Sequence, residues 1–220
     1  MRVVNLSENN SVLNQFIAEI RDAKIQQDPL RFRRNIERIG EVMAIEVSRA
    51  LNYQPKDVTT PLGIASVQML TDQIVLGTIL RAGLPLHQGF LNIFDRAENA
   101  FLSAYRRAGR VVDGVQEIEI VAEYLAAPSL EGKTLILVDP MLATGMSMEV
   151  GYRALLSHGA PAHTHLCSVI GTTQAVEYLQ ANLPEQTTLW CAAIDPELNT
   201  KKYIVPGLGD AGDLCFGGKL

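Results

Sequence analysis

The stretch TLILVDPMLATGMSMEVGYRALL constrains the fold of this chain more than any other. Its first part, TLILVDP, is apolar without polar alternation. A strand that shows no polar face has to be covered on both sides, which is the condition of strands in a parallel sheet. A short loop follows at once, and TGMS opens an amphipathic helix. The same order of strand and then helix recurs along the chain. QIVLGTIL is followed by LPLHQGFLNIFD, and HTHLCSVIG by TTQAVEYLQANLP, while TLWCAAID is the last clear strand. This pattern predicts an α/β protein with a central parallel sheet flanked by helices. DVTTPLG and ASVQML read as short strands, and AFLSAYRRAG with VQEIEIVAEYL as a β-hairpin insertion near residues 99–125. Residues 1–52 read as a helical N-terminal region. SVLNQFIAEIRDAKIQQ places Val12, Phe16 and Ile20 on one stripe. After Asp28-Pro29, a second stripe carries Phe32, Ile36, Ile39, Met43 and Val47. Arg31, Arg33, Arg34 and Arg38 on this helix read as a solvated face, not as a phosphate patch.

A chain of 220 residues fits one domain, here 1–220, closed by a glycine-rich segment at about 195–220. There are 19 Lys and Arg against 24 Asp and Glu, a net charge of −5, which argues against nucleic acid as a partner. A local nest of backbone amides can still bind a small anion. Cys167, Cys191 and Cys215 include no close metal-ligand pair, and an odd count reads as reduced thiols. The start MRVVNLSENN has no basic and apolar leader pattern. The longest apolar runs fall far short of the ~20 residues that span a bilayer. The expectation is a cytoplasmic protein with no membrane partner.

In open α/β sheets, ligands bind beyond the carboxyl ends of the strands. The strand TLILV ends at Asp139, and the loop to Ser147 opens a helix whose first amides are free, a setting that suits a monophosphate. Gly145 permits close backbone approach. The loop lacks the lysine of a P-loop, and an acid at the strand end suits a sugar phosphate, accepting from its hydroxyls. Arg81, in LRAGLP at the end of QIVLGTIL, presents a planar fork suited either to phosphate or diphosphate or to a surface ion pair. Gly207, Gly209 and Gly212 match the dinucleotide fingerprint literally, but the chain ends too soon for the acid that motif requires. A glycine-rich backbone of this kind can instead read the amide edge of a planar heterocycle. His163 and His165 share one strand face without a third ligand nearby and read as satisfied or exposed histidines.

Taken together, VDPMLATGMS, LRAGLP and AIDPELN…YIVPGLGDAGDLCFG resemble the uracil phosphoribosyltransferase family over nearly the whole chain. The resemblance implies a type I phosphoribosyltransferase fold. It also implies a reaction in which uracil and 5-phosphoribosyl diphosphate (PRPP) give UMP and diphosphate, with Mg²⁺, in pyrimidine salvage. By match to the family's motifs, Asp139, Pro140, Met141, Leu142, Ala143, Thr144, Gly145, Met146 and Ser147 would hold the ribose and 5′-phosphate. Arg81 and Arg106 would hold the diphosphate, and Ile204, Gly209, Asp210 and Ala211 would contact uracil. Asp139, Arg81 and Asp210 would carry the catalysis, with Asp210 also near PRPP or its metal. The Mg²⁺ is expected to be held mainly through PRPP, and the assembly is expected to be a homo-oligomer, a dimer or tetramer. Two departures stand out. Met146 replaces a glycine usual in the family's loop, and the stretch after Arg106 diverges. Other readings are a transferase for another base, or a pyrimidine regulator on the same fold.

Overall fold

The computed structural model describes residues 1–112 and 115–218, without the side chains of residues 104–123. Its centre is a sheet in which β4 (Ile74–Leu80), β7 (Thr134–Val138), β9 (His163–Thr172) and β10 (Thr187–Asp195) lie side by side in parallel. Beyond β4 the sheet continues into β5 (Glu98–Val112), parallel to it, and then β6 (Val115–Ala126), antiparallel. These last two strands form the expected hairpin. At the other edge, β1 (Arg2–Asn5) pairs in parallel with β10. The N-terminal region is therefore not wholly helical. RVVN is too short for periodicity to show, and only β10 as a neighbour makes it a strand.

Two layers cover the sheet, and alternate residues of β7 divide between them. Ile136 and Val138 join the core formed by α1 (Leu13–Arg21), α2 (Pro29–Ser48) and α3 (Gly83–Ile93). Leu135 and Leu137 face the opposite core, with α4 (Met146–Leu155) and α5 (Thr173–Asn182). All four are fully buried, as a strand without a polar face requires. The α2 stripe is as read, and Asp28 caps the helix by accepting from the amides of Leu30 and Arg31, with Pro29 at the first turn. The stripe on α1 is shifted. Leu13, Ile17 and Ile20 are buried, while Val12 precedes the first turn and stays exposed. Phe16 instead lies under the Arg38 guanidinium, 5.5 Å from its ring centre. Of the other helix arginines, Arg31 pairs with Glu19 and Arg34 with Glu37.

β2 (Tyr53–Thr60) and β3 (Gly63–Leu70) form a separate antiparallel hairpin off the main sheet. No helix of the described residues is long and apolar enough to cross a membrane. The three cysteines are buried free thiols. His165 is buried against Trp190, whose indole N–H donates to its Nδ1, and burial holds its pKa down at about 4. That is a satisfied core histidine.

Candidate active site

β4 and β7 are neighbours in the sheet, yet the chain leaves them in opposite directions: β4 toward β5, β7 toward β9. Such a switch point opens a crevice at the carboxyl ends of the strands. Arg81 follows β4 and Asp139 follows β7, so the topology brings together two residues 58 positions apart (139 − 81).

The loop after β7 is stitched to β9. The amide of Asp139 donates to the carbonyl of Cys167 at 3.0 Å, and the amide of Ile170 donates to the carbonyl of Pro140 at 3.0 Å. β8 (Met141–Leu142) then pairs with Ile170 and Gly171. Thr172, fully buried at the end of β9, holds the next residue. Its hydroxyl donates to the Ala143 carbonyl at 2.8 Å and accepts from the amide of Ala175 at 3.0 Å, capping α5. Gly145 is the N-cap of α4 with φ +82°, and a Cβ there would sit 3.0 Å from the Tyr178 ring and 3.2 Å from the Ala175 carbonyl. Only glycine fits both the backbone and the space. Met146 begins the helix in ordinary helical conformation, so the left-handed residue is Gly145 and the methionine is accommodated. The first amides of α4 have no partner within the helix, and Ser147 adds a hydroxyl beside them.

Asp139 faces the cavity from the floor of this loop. Burial pushes its carboxyl up to about 7, opposed by the amide of Met141, which donates to it at 3.4 Å.

The C-terminal segment folds over the same edge. β11 (Glu197–Leu198) pairs with β12 (Ile204–Val205) around a turn in which the Asn199 side chain accepts from the amides of Lys201 and Tyr203. Lys202 in that turn has φ +62°. Asp210 caps α6 (Ala211–Phe216) by accepting from the amide of Asp213 at 3.0 Å. Arg81 meets this helix, its guanidinium 3.2 Å from the Asp213 carboxylate. The glycine motif does not open a dinucleotide-binding helix, because β12 is two residues long and α6 six.

A cavity of about 840 Å³ joins these parts. Among the expected site residues, Arg81, Asp139, Met141, Ala143, Ser147, Ile204, Gly209, Asp210 and Ala211 line it. Thr144, Gly145 and Met146 shape the loop behind the lining, and Pro140 is buried. The Leu142 side chain is 2% exposed and packs in the core, so only its backbone belongs to the loop. Arg106 lies on β5, its side chain outside the described residues. The cavity also takes in Ser103, Lys201, Lys202 and Tyr203, which the sequence reading missed. Ser103 is placed there by register, opposite Leu80 on the neighbouring strand. The lysines carried a signal, two adjacent cations directly before the glycine-rich segment.

Among the described residues no three His, Cys, Asp or Glu side chains converge on a metal position. The cavity carboxylates Asp139 and Asp210 are hard oxygen donors, and one Asp210 oxygen already accepts from the backbone. This donor set fits Mg²⁺ carried by substrate phosphates and water, with at most one or two carboxylates from the protein.

A parallel sheet with an arginine at one strand end, a carboxylate at the next, a helix-opening amide loop beside it and a glycine-rich cover defines the protein as a phosphoribosyltransferase. The family model described as uracil phosphoribosyltransferase matches residues 7–218. A curated uracil phosphoribosyltransferase of Porphyromonas gingivalis is 54% identical over 220 residues, covering all of both chains. One of Methanothermobacter thermautotrophicus is 36% identical, covering 95% of this chain and 93% of its own. The solved structure of the AQ2163 protein from Aquifex aeolicus superposes with a TM-score of 0.85 at 28% identity, over 98% of each chain. The chain belongs to the uracil phosphoribosyltransferase family.

Proposed function

We propose that the protein transfers the 5-phosphoribosyl group from PRPP to N1 of uracil, forming UMP and diphosphate in pyrimidine salvage. The observation that carries this reading is the single cavity shared by Arg81, Asp139 and the Ile204–Gly212 segment. As the C1′–oxygen bond to diphosphate breaks, positive charge develops on the ribose and negative charge on the leaving group. Arg81 stabilises the leaving diphosphate through its fork. Asp139 accepts from the ribose hydroxyls and, when ionised, offsets the ribose charge. The amides opening α4, with Thr144 and Ser147, hold the 5′-phosphate. Arg106, on the hairpin, serves the diphosphate side. Ile204, Gly209, Asp210 and Ala211 present uracil in line with C1′, and this positioning lowers the barrier further. Asp210 is the side chain that would hold Mg²⁺, which supplies charge neutralisation on the diphosphate.

The protein works in the cytoplasm as a homo-oligomer. Support for the oligomer comes from the β2–β3 hairpin, whose Leu62 is 100% and Ile64 74% exposed. An isolated two-stranded hairpin is marginal in water, and a second copy of this chain covers its exposed apolar residues.

Incubation with PRPP, Mg²⁺ and each nucleobase in turn tests the activity. UMP formed from uracil, well above product from cytosine or purines, is the expected result. Turnover of another base alone would overturn the assignment of substrate, and turnover of none would overturn the enzyme reading.

A further inference from the structure

A half-buried arginine and a buried carboxylate outside the cavity grip the base segment from behind. Arg21, the last residue of α1, forms a two-pronged pair with Asp195 at the end of β10, with both N–H···O distances 2.8 Å. The Asp195 side chain is 7% exposed and that of Arg21 22%. The same two groups hold both backbone groups of Gly207. Arg21 Nη1 donates to its carbonyl at 3.0 Å, and its amide donates to Asp195 Oδ2 at 2.9 Å. Gly207 has φ +57°, and a Cβ on it would lie 2.1 Å from the Ile204 carbonyl, so the chain turns sharply there between two cavity residues, Ile204 and Gly209. A backbone loop reads a base edge only while its amides and carbonyls keep fixed directions. A two-pronged arginine–carboxylate pair supplies that fixity in a way a single point charge does not. Neither residue reaches the cavity lining, which Arg81 and Asp139 share.

We propose that Arg21 and Asp195 are positioning residues that orient the base-reading loop through Gly207, so that α1 sets affinity for the base and leaves PRPP binding alone. This rests on the reading of the cavity as a uracil and PRPP site. The test compares the full chain with Arg21→Lys, Asp195→Asn and the paired Arg21→Met/Asp195→Leu, which removes both charges together. In the paired variant the KM for uracil rises about tenfold, the scale of one or two lost hydrogen bonds. The KM for PRPP and kcat at saturating uracil stay within about twofold. Arg21→Lys, which keeps the charge and loses the fork, gives a smaller rise in the same direction. An unchanged KM for uracil in a folded variant overturns the proposal. So does a joint loss in both KM values and kcat, the mark of general structural damage. Should the paired variant fail to fold, Arg21→Lys and Asp195→Asn decide by the same split. Hydrogen exchange of the Gly207 amide in the substrate-free protein separates this proposal from the reading beneath it. Slow exchange in the native chain and fast exchange in the Arg21 and Asp195 variants supports the clamp even if no UMP is made. Equal exchange overturns the clamp even if UMP is made.

Discussion

Asp139 holds two conflicting demands in one side chain. The fold buries it at the end of β7, and burial favours the neutral form, while the proposed chemistry needs the charge. The consequence for stability has a definite sign. The folded pKa, about 7, lies above the unfolded value of 3.8. Between those values the folded state binds more protons than the unfolded one. The contribution of Asp139 to stability is therefore full below about pH 4, falls as pH rises and levels off above 7. Asp139→Asn removes that slope. Relative to the variant, the native protein loses several degrees of Tm between pH 4 and pH 8, at about 2–4 °C per kcal/mol for a chain of this size. Parallel melting curves with no relative shift would sink the argument. In the same variant turnover falls about 10²–10³-fold, the usual consequence of removing one preorganised electrostatic group, and a wild-type kcat would remove Asp139 from the mechanism.

At the scale of elements, the loop after β7 owes its shape to β9 and α5 more than to its own residues. Thr172 joins them, since one hydroxyl caps α5 and holds the Ala143 carbonyl. Thr172→Val keeps the volume and removes both bonds. The expected cost is about 1–2 kcal/mol of stability together with a severalfold higher KM for PRPP, while Thr172→Ser restores most of both. If valine raises no KM, the loop holds its shape without Thr172. The Ile204–Gly212 segment yields a prediction of specificity. Uracil presents an N3–H donor between two carbonyls, and cytosine presents an N3 acceptor beside an amine donor. Backbone groups cannot rotate to suit both patterns. Discrimination in kcat/KM is expected on the order of 10⁴, and comparable turnover of the two bases would show that the backbone does not read this edge.

At the scale of the whole molecule, the β2–β3 hairpin stands off the main sheet. Tyr53, Val58, Leu62, Ile64, Val67 and Met69 are all exposed on the β2–β3 hairpin. A second copy covering it predicts a native mass in solution that is a multiple of the chain's own. Substituting Leu62→Ser and Ile64→Thr shifts that mass toward the monomer in light scattering. A native protein that is monomeric at micromolar concentration removes this role for the hairpin.

Much was legible in the residues because it depends on local pattern. An apolar run without alternation demands two covering layers, whatever the rest of the chain does. Asp28-Pro29 starts a helix through its own side chain and ring. The loop from Asp139 to Ser147 and the arginine after QIVLGTIL are placed at strand ends by residue type and position alone, and both line one cavity. Other features depended on partners distant in sequence. RVVN is a strand only because β10 offers it an edge, and the α1 stripe turns by one residue to meet α2. Ser103 reaches the cavity through strand register, and Leu142 leaves it because β8 pairs with β9. The clamp of Arg21 and Asp195 on Gly207 joins residues 174 and 186 positions apart. Periodicity reports which face of an element is apolar. Which residues meet across the sheet edge is decided by packing, since burial and hydrogen bonding are satisfied between elements and not within them.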